Sequence, residues 1–195
     1  MERDVLRREL RARRRSLAPQ DRIAGANGLA QQLLTLPFAP VSGYVAGYWA
    51  MDGEIALHAW QLALPAACVY CLPVLHEDGR LRFAPWRPGD ALVSNRFGIP
   101  EPDLAPSSLL EAQQLTFAVV PLVGFDPRGH RLGMGGGWYD RSFAFRHQHP
   151  APPPWLVGVG FELQQTDAMQ AAEWDVALDA VCTETTTHDC RALSA

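Results

Sequence analysis

The chain has 195 residues, 48% hydrophobic and 19% charged, with a net charge of −4. That length and balance predict one globular domain spanning residues 1–195 with a sizeable core. No apolar run approaches a membrane span and no signal-peptide pattern follows the arginine-rich start, so a cytoplasmic protein without membrane contact is expected. The sequence contains no lysine, which excludes a Walker loop and Schiff-base chemistry and leaves arginine, backbone N–H groups and metal to handle any phosphate.

Residues 3–16 read as a helix, with Leu6, Leu10 and Leu17 near helical spacing among arginines. Residues 1–22 hold eight arginines against four acids, whereas the remainder holds nine against seventeen. Such a basic arm suits nucleic acid, or else a solvated face whose arginines act locally. Without a longer basic block or interleaved aromatics the second is favoured, and no nucleic-acid partner is expected. Pro19 suits the first turn of a second helix reaching about Leu36. "GYVAGYW" reads as a strand, "EIALHAWQLAL" as a short amphipathic helix, "VYCLPVL" as a strand, "HEDG" as a turn and "RLRFAPW" as the strand returning from it. Arg87 to Pro106, rich in Pro and Gly, reads as loop, and 107–114 as a short helical turn. "TFAVVPLVGF" is a continuous apolar run of the kind found in buried parallel strands. "WYDRSFAFRHQ" reads as a helix, "HPAPPPW" as a stiff loop, "LVGVGF" as a buried strand, and a last strand falls near Asp179 to Thr183. Strands alternating with helices predict an α/β fold with a mostly parallel sheet, whose ligands sit at the carboxyl ends of the strands.

Cys68 and Cys71 have redox or zinc spacing, but they lie in a strand-like apolar run with no second such pair, and free buried cysteines fit better. His147 and His149 read as surface residues, and the other histidines show no metal-ligand pattern.

The stretch "RLGMGGGWYDR", residues 131–141, holds four glycines in seven residues between two arginines. Glycine costs backbone entropy, so such a cluster needs a reason. A buried strand, a glycine loop and a helix in succession present bare N–H groups to an anion, with Arg131 and Arg141 available for charge-assisted contacts. Asp140 would repel a phosphate unless a cation stood between them, which suggests magnesium. A tight turn whose aspartate satisfies the helix is the alternative, and composition does not separate the two. The pattern is not a Rossmann fingerprint, because the loop comes late in the chain.

"FDPRGHRLGMGGGWYDR" resembles the signature of the 5-formyltetrahydrofolate cyclo-ligase (5,10-methenyltetrahydrofolate synthetase) family. The resemblance extends to "RDVLRRELRARRRSL", "YWAMDGEI", "GIPEP" and "WDVALDAVCTE". It implies a three-layer α/β fold similar to ribose-5-phosphate isomerase and CoA transferases. It also implies magnesium- and ATP-dependent conversion of 5-formyltetrahydrofolate to 5,10-methenyltetrahydrofolate, with release of ADP and phosphate. The implied nucleotide contacts are Arg3, Arg7 and the loop Arg131, Leu132, Gly133, Met134, Gly135, Gly136, Gly137, Trp138 and Tyr139. The implied folate contacts are Trp49 and Glu54 with Met134 through Trp138. The implied magnesium carboxylates are Asp140 and Asp179, and Arg131 and Tyr139 would act in catalysis. The expected partner is a reduced folate, with or without a polyglutamate tail, and the expected state a monomer. Two departures stand out: the family often carries lysine where this chain has Arg3, and some members carry lysine where it has Gly136; arginine can still hold a phosphate, but the glycine leaves the loop one cation short. Two rival readings are a sugar-phosphate isomerase or transferase of related fold and an RNA-binding module using the first helix.

Overall fold

Alternating apolar segments build a seven-stranded sheet in the order β11-β10-β9-β6-β1-β2-β3. The computed structural model describes residues 3–167 and 169–191. In chain order the elements are α1 (Arg3–Arg15), α2 (Pro19–Leu34), β1 (Gly43–Ala46), α3 (His58–Ala63), β2 (Cys68–Leu75), β3 (Leu81–Pro85), β4 (Leu92–Ser94), β5 (Pro100–Pro102), β6 (Phe117–Pro121), β7 (Gly124–Phe125), β8 (Arg131–Leu132), α4 (Trp138–Ser142), β9 (Trp155–Val159), β10 (Ala180–Cys182) and β11 (Thr187–Asp189). The inner strands β10, β9, β6, β1 and β2 run parallel, and β11 and β3 close the two edges antiparallel. This is the expected three-layer α/β architecture with a mostly parallel sheet.

The period-two alternation of the strands sorts their side chains to two faces. Val45, Phe117, Val119, Val157, Val159, Ala180 and Cys182 meet Leu29, Ala30 and Leu33 of α2 and Trp60 of α3. Their neighbours Ala46, Ala118, Val120, Leu156 and Val181 pack on the other side with Phe83, Phe143 and Leu178. A small third cluster joins Leu10 of α1 to Val123 and Leu132.

Four expectations are corrected. The apolar run 116–125 is not one strand. β6 ends at Pro121, and the chain then turns away so that Gly124 and Phe125 pair with Leu132 and Arg131. The helix expected over 54–64 starts only at His58, because Glu54 closes a turn back to the Met51 carbonyl (2.9 Å). The helix expected over 138–148 stays α-helical only to Ser142 and continues as a 3₁₀ turn over Ala144–His147. The Pro/Gly-rich stretch 87–106 contains the β4–β5 hairpin. None of the four cysteines is in a disulfide; Cys71, Cys182 and Cys190 are buried, as anticipated, and Cys68 is partly so.

The packing of α2 generates a test. A Cβ placed on Gly28 would lie 2.4 Å from the Glu184 carbonyl oxygen. Replacing a helix-interior glycine by alanine ordinarily stabilises by roughly 0.5–1 kcal/mol. Here Gly28→Ala is expected to destabilise by about 1–3 kcal/mol through overpacking, read as a lower urea midpoint. An unchanged or raised midpoint would mean that α2 does not press on that carbonyl.

Candidate functional site

Two segments leave the carboxyl ends of parallel strands and meet helix α1. The first, residues 47–57, follows β1. The second follows β6 and forms the β7–β8 hairpin, the glycine loop and α4.

Helix α1 is fastened by Arg14, whose side chain is fully buried. Its guanidinium donates to the Asp52 carbonyl (3.0 Å), the Asp52 carboxylate (3.0 Å) and the Leu122 carbonyl (3.2 Å), and lies 3.8 Å from Glu54. Asp52 sits in the left-handed region, φ +52, which Asp adopts more readily than most residues. Its carboxylate also accepts from Arg11 (2.7 Å) and from Arg15. Burial pushes the Asp52 carboxyl up, but the hydrogen bonds and charges of Arg11, Arg15 and Arg14 outweigh it and hold the group below its usual range. Arg22 caps the end of α1 through the carbonyls of Arg14 (3.1 Å), Arg15 (2.8 Å) and Leu17 (3.1 Å). With Arg3 on Asp175 (3.4 Å) and Arg7 on the Gly133 carbonyl (2.9 Å), six of the eight arginines in residues 1–22 are committed within the protein.

The Asp52 turn sets Trp49 and Glu54. Trp49 is half-exposed and rests edge-on against Trp86, ring centroids 5.8 Å apart. Glu54 is mostly buried; burial raises its pKa against the opposing pull of the Met51 N–H (3.0 Å) and Arg14. It does not lie in the first turn of α3. The Tyr139 hydroxyl is pushed well above the ordinary phenol range, by burial first and by the field of Glu54 second.

The hairpin delivers the glycine loop. Asp126, fully buried, accepts from the N–H groups of Arg128 (3.0 Å), His130 (3.1 Å) and Met169 (3.0 Å) and from the His130 ring (2.9 Å). Its pKa is raised by burial but lowered further by these donors. Arg131 is buried and spends its guanidinium on the Val176 carbonyl and on Asp140 Oδ1; burial lowers its pKa first, with the Asp140 charge opposing. Asp140 Oδ1 also accepts from the Val176 N–H (3.2 Å), while Oδ2 takes no hydrogen bond among the described residues. Leu132 points into the core. Beyond it, no backbone N–H from Met134 to Trp138 has a protein acceptor among the described residues. The glycines have separate uses. Gly135 (φ +96) and Gly137 (φ +63) turn the chain as L-residues rarely can. At Gly136 a Cβ would stand 2.9 Å from the Trp138 ring. A cavity of about 600 Å³ opens here, lined by Gly135, Gly136, Gly137, Asp140, Arg141 and Glu173 among others.

The structure brings Arg7, the glycine loop, Tyr139, Glu54 and Asp140 to one side of the sheet, with Arg3 tied to Asp175 nearby. It does not bring Asp179 there. Asp179 precedes β10 and binds the Leu156 N–H (2.7 Å) at the start of β9, so it lies at the amino ends of the parallel strands. There it pairs with the buried Arg146 (3.1 Å). No group of three or more His, Cys, Asp or Glu side chains is arranged for a metal among the described residues. Sequence reasoning did not single out Arg14, Asp52, Asp126 or Arg146. Asp52 carried one signal, a position directly before a glycine in "MDGE", a turn pair.

Fold and site define an α/β protein whose cleft lies at the carboxyl ends of parallel strands and is floored by a glycine loop with unused amides. The 5-formyltetrahydrofolate cyclo-ligase family model matches residues 1–184. The chain is 37% identical over 178 residues to the 5-formyltetrahydrofolate cyclo-ligase of Escherichia coli K12, covering 89% of this chain and 96% of that one. It is 34% identical over 180 residues to the enzyme of the same name from Haemophilus influenzae, covering 90% and 94%. The solved structure of Aquifex aeolicus 5,10-methenyltetrahydrofolate synthetase superposes with a TM-score of 0.81 at 26% identity, covering 98% of this chain and 94% of that one. The chain belongs to the 5-formyltetrahydrofolate cyclo-ligase family and is an enzyme of that family.

The Arg14–Asp52 contact is testable by stability. Asp52→Ala leaves a buried guanidinium short of its counter-charge and should cost about 3 kcal/mol, measured by urea unfolding. Because the folded pKa of Asp52 is depressed, its contribution is present above the usual carboxylate range and is lost as pH falls through the folded value. Asp52→Asn, which tolerates the same backbone conformation, should therefore flatten the acid side of the stability profile. A profile identical to the parent's would remove Asp52 as the anchor.

Proposed function

We propose that the chain closes 5-formyltetrahydrofolate to 5,10-methenyltetrahydrofolate at the expense of ATP, with magnesium, and releases ADP and phosphate. The observation that carries this reading is the run of unbonded amides from Met134 to Trp138 beside Arg7 and Asp140, in a chain of this family. Five unused N–H groups on a glycine backbone suit a polyphosphate.

A formamide carbonyl is a weak electrophile and its oxygen a poor leaving group. Phosphoryl transfer to that oxygen cures both faults. The neighbouring aryl amine of the folate then forms the new C–N bond, loses its proton, and the C–O bond breaks with departure of phosphate. The protein's part in such a transfer is positioning and electrostatics. The loop amides and Arg7 would hold the phosphates. Trp49 offers a flat wall to the pterin. Glu54, held toward its protonated form by burial, would hydrogen-bond the pterin's polar edge. Burial holds Tyr139 toward its protonated form, which suits a donor or orienting group. Arg131 acts through Asp140, which it fixes.

Magnesium needs one or two carboxylates and completes its shell with phosphate oxygens and water. Asp140 fits, since among the described residues its Oδ2 takes no hydrogen bond and it lines the loop cavity. Asp179 does not fit, being paired with Arg146 at the other edge of the sheet. Bound at Asp140, the ion would supply charge neutralisation for the transferred group.

Mixing the protein with magnesium-ATP and 5-formyltetrahydrofolate should raise absorbance in the methenyl-folate band, with ADP formed one for one. Folded protein giving no rise would overturn the assignment. Arg7→Ala should raise the KM for ATP by roughly ten-fold or more, the value of a charged hydrogen bond. Asp140→Asn should demand more magnesium for half-maximal rate. Asp179→Asn should lower the thermal midpoint and leave the magnesium dependence in place; a shift there would restore Asp179 to the metal site.

A further inference from the structure

The tip of the β4–β5 hairpin, Asn95 to Gly98, is built and fastened without using Arg96. Asn95 Oδ1 accepts from the N–H groups of Phe97 (2.8 Å) and Ile99 (3.1 Å), and its Nδ2 donates to Glu101 (2.8 Å). Glu101, buried, also accepts from the N–H of Leu75 (2.8 Å), the last residue of β2. The hairpin is thereby tied to the carboxyl edge of the sheet, where its tip reaches the glycine loop. Phe97 meets the Trp138 ring edge-on, centroids 6.5 Å apart. The Arg96 guanidinium stands 5.1 Å from the Phe97 centroid and 5.4 Å from that of Trp138. It is exposed and has no hydrogen bond or ion pair among the described residues.

Its surroundings point to an anion. A second guanidinium, Arg141, lies 5.2 Å from the same Trp138 ring, held there by the carbonyls of Gly79 (2.7 Å) and Gly136 (2.9 Å). The indole occupies the space that a side chain at Gly136 would fill, 2.9 Å from a Cβ there. Two cations thus share one aromatic ring at the start of α4, next to the unbonded loop amides. The other cations of the cleft are spent: Arg131 on Asp140 and Val176, and Arg7 on Gly133 and Asp4. No cationic residue occurs between Leu132 and Asp140. Arg96 is a positive charge without hydrogen bond or ion pair among the described residues, held on the Trp138 ring that follows the amides that would carry an anion.

We infer that Arg96 is a ligand-binding residue that clamps the nucleotide's phosphate tail against the glycine loop from the hairpin side. The inference rests on the nucleotide reading proposed above.

Calorimetry of magnesium-ATP and magnesium-tripolyphosphate binding tests it without turnover. Arg96→Ala, which gives up only exposed contacts with the Phe97 and Trp138 rings, should fold as the parent does and weaken both ligands by about ten-fold or more. Arg96→Lys should recover part of the loss, a point charge replacing a fork. Arg13→Ala, which removes one exposed charge from α1, should stay within about two-fold, and so should 5-formyltetrahydrofolate binding to Arg96→Ala. Unchanged nucleotide and tripolyphosphate affinities in Arg96→Ala would overturn the clamp, as would a loss confined to the folate. Tripolyphosphate binding that depends on Arg96 in a protein with no cyclo-ligase turnover would support the clamp and sink the proposed reaction. A parent protein that binds neither polyphosphate sinks the clamp itself.

Discussion

The buried guanidinium of Arg14 is the contact on which the site depends. Only Leu10 and Arg14 of α1 are buried, so apolar burial alone gives this helix little hold on the sheet. Taking a guanidinium out of water is costly unless its donors and its charge are matched. Here the match draws on the turn after β1, through Asp52 and Glu54, and on the segment after β6, through the Leu122 carbonyl. One side chain therefore joins the helix to both segments that build the cleft. Arg7 lies two helical turns before Arg14 and Arg3 one turn before that, so the three share a face. Fixing Arg14 brings Arg7 to the glycine loop and Arg3 to Asp175.

The glycine cluster follows from crowding as much as from turning. Beside Gly135 stands the Arg7 guanidinium, across Gly136 lies the Trp138 ring, and next to Gly137 comes Arg141, at 3.5, 2.9 and 2.8 Å from the respective Cβ positions. A side chain at Gly136 would press on the Trp138 ring and one at Gly137 on the end of the Arg141 side chain, whereas a Cβ at Gly135 would meet Arg7 at ordinary contact distance, so there the positive φ is the constraint. Arg7 and Arg141 satisfy two of the loop's carbonyls, those of Gly133 and Gly136, while the N–H groups from Met134 to Trp138 keep no protein acceptor among the described residues.

Much of this was legible in the chain. Continuous apolar runs marked the buried parallel strands, and hydrophobic spacing marked α1 and α2. The central motif located the loop and its aspartate. What escaped were contacts between distant residues. Nothing in "RARRRSL" distinguishes Arg14, buried, from Arg13, exposed, because the difference lies in an aspartate 38 residues later. Pro121 looked like a strand interior because its neighbours are apolar, yet the pairing partner of the residues beyond it is a two-residue strand with no apolar pattern of its own. The β4–β5 hairpin is too short and too proline-rich for period-two alternation, and it is held by Asn95 and Glu101, whose pairing no local signal announces.

The two aspartates show why order along the chain does not give place in the sheet. Asp140 lies in α4 and Asp179 in the loop that leads into β10, and each is an acidic residue paired with a buried arginine. Topology separates them. In a parallel sheet, the residue that leads into a strand lies at the opposite edge from the residue that leaves one. Asp179 leads into β10, and its carboxylate takes the Leu156 N–H just inside β9, where it steadies the amino ends of two adjacent strands. Asp140 belongs to the connection leaving β6, where the cleft opens. Both oxygens of Asp179 are occupied by Arg146, and one also by the Leu156 N–H; among the described residues only Oδ1 of Asp140 is so used. A carboxylate oxygen that keeps its lone pairs clear meets a cation at less cost than one that answers a buried arginine, and Asp140 keeps such an oxygen among the described residues.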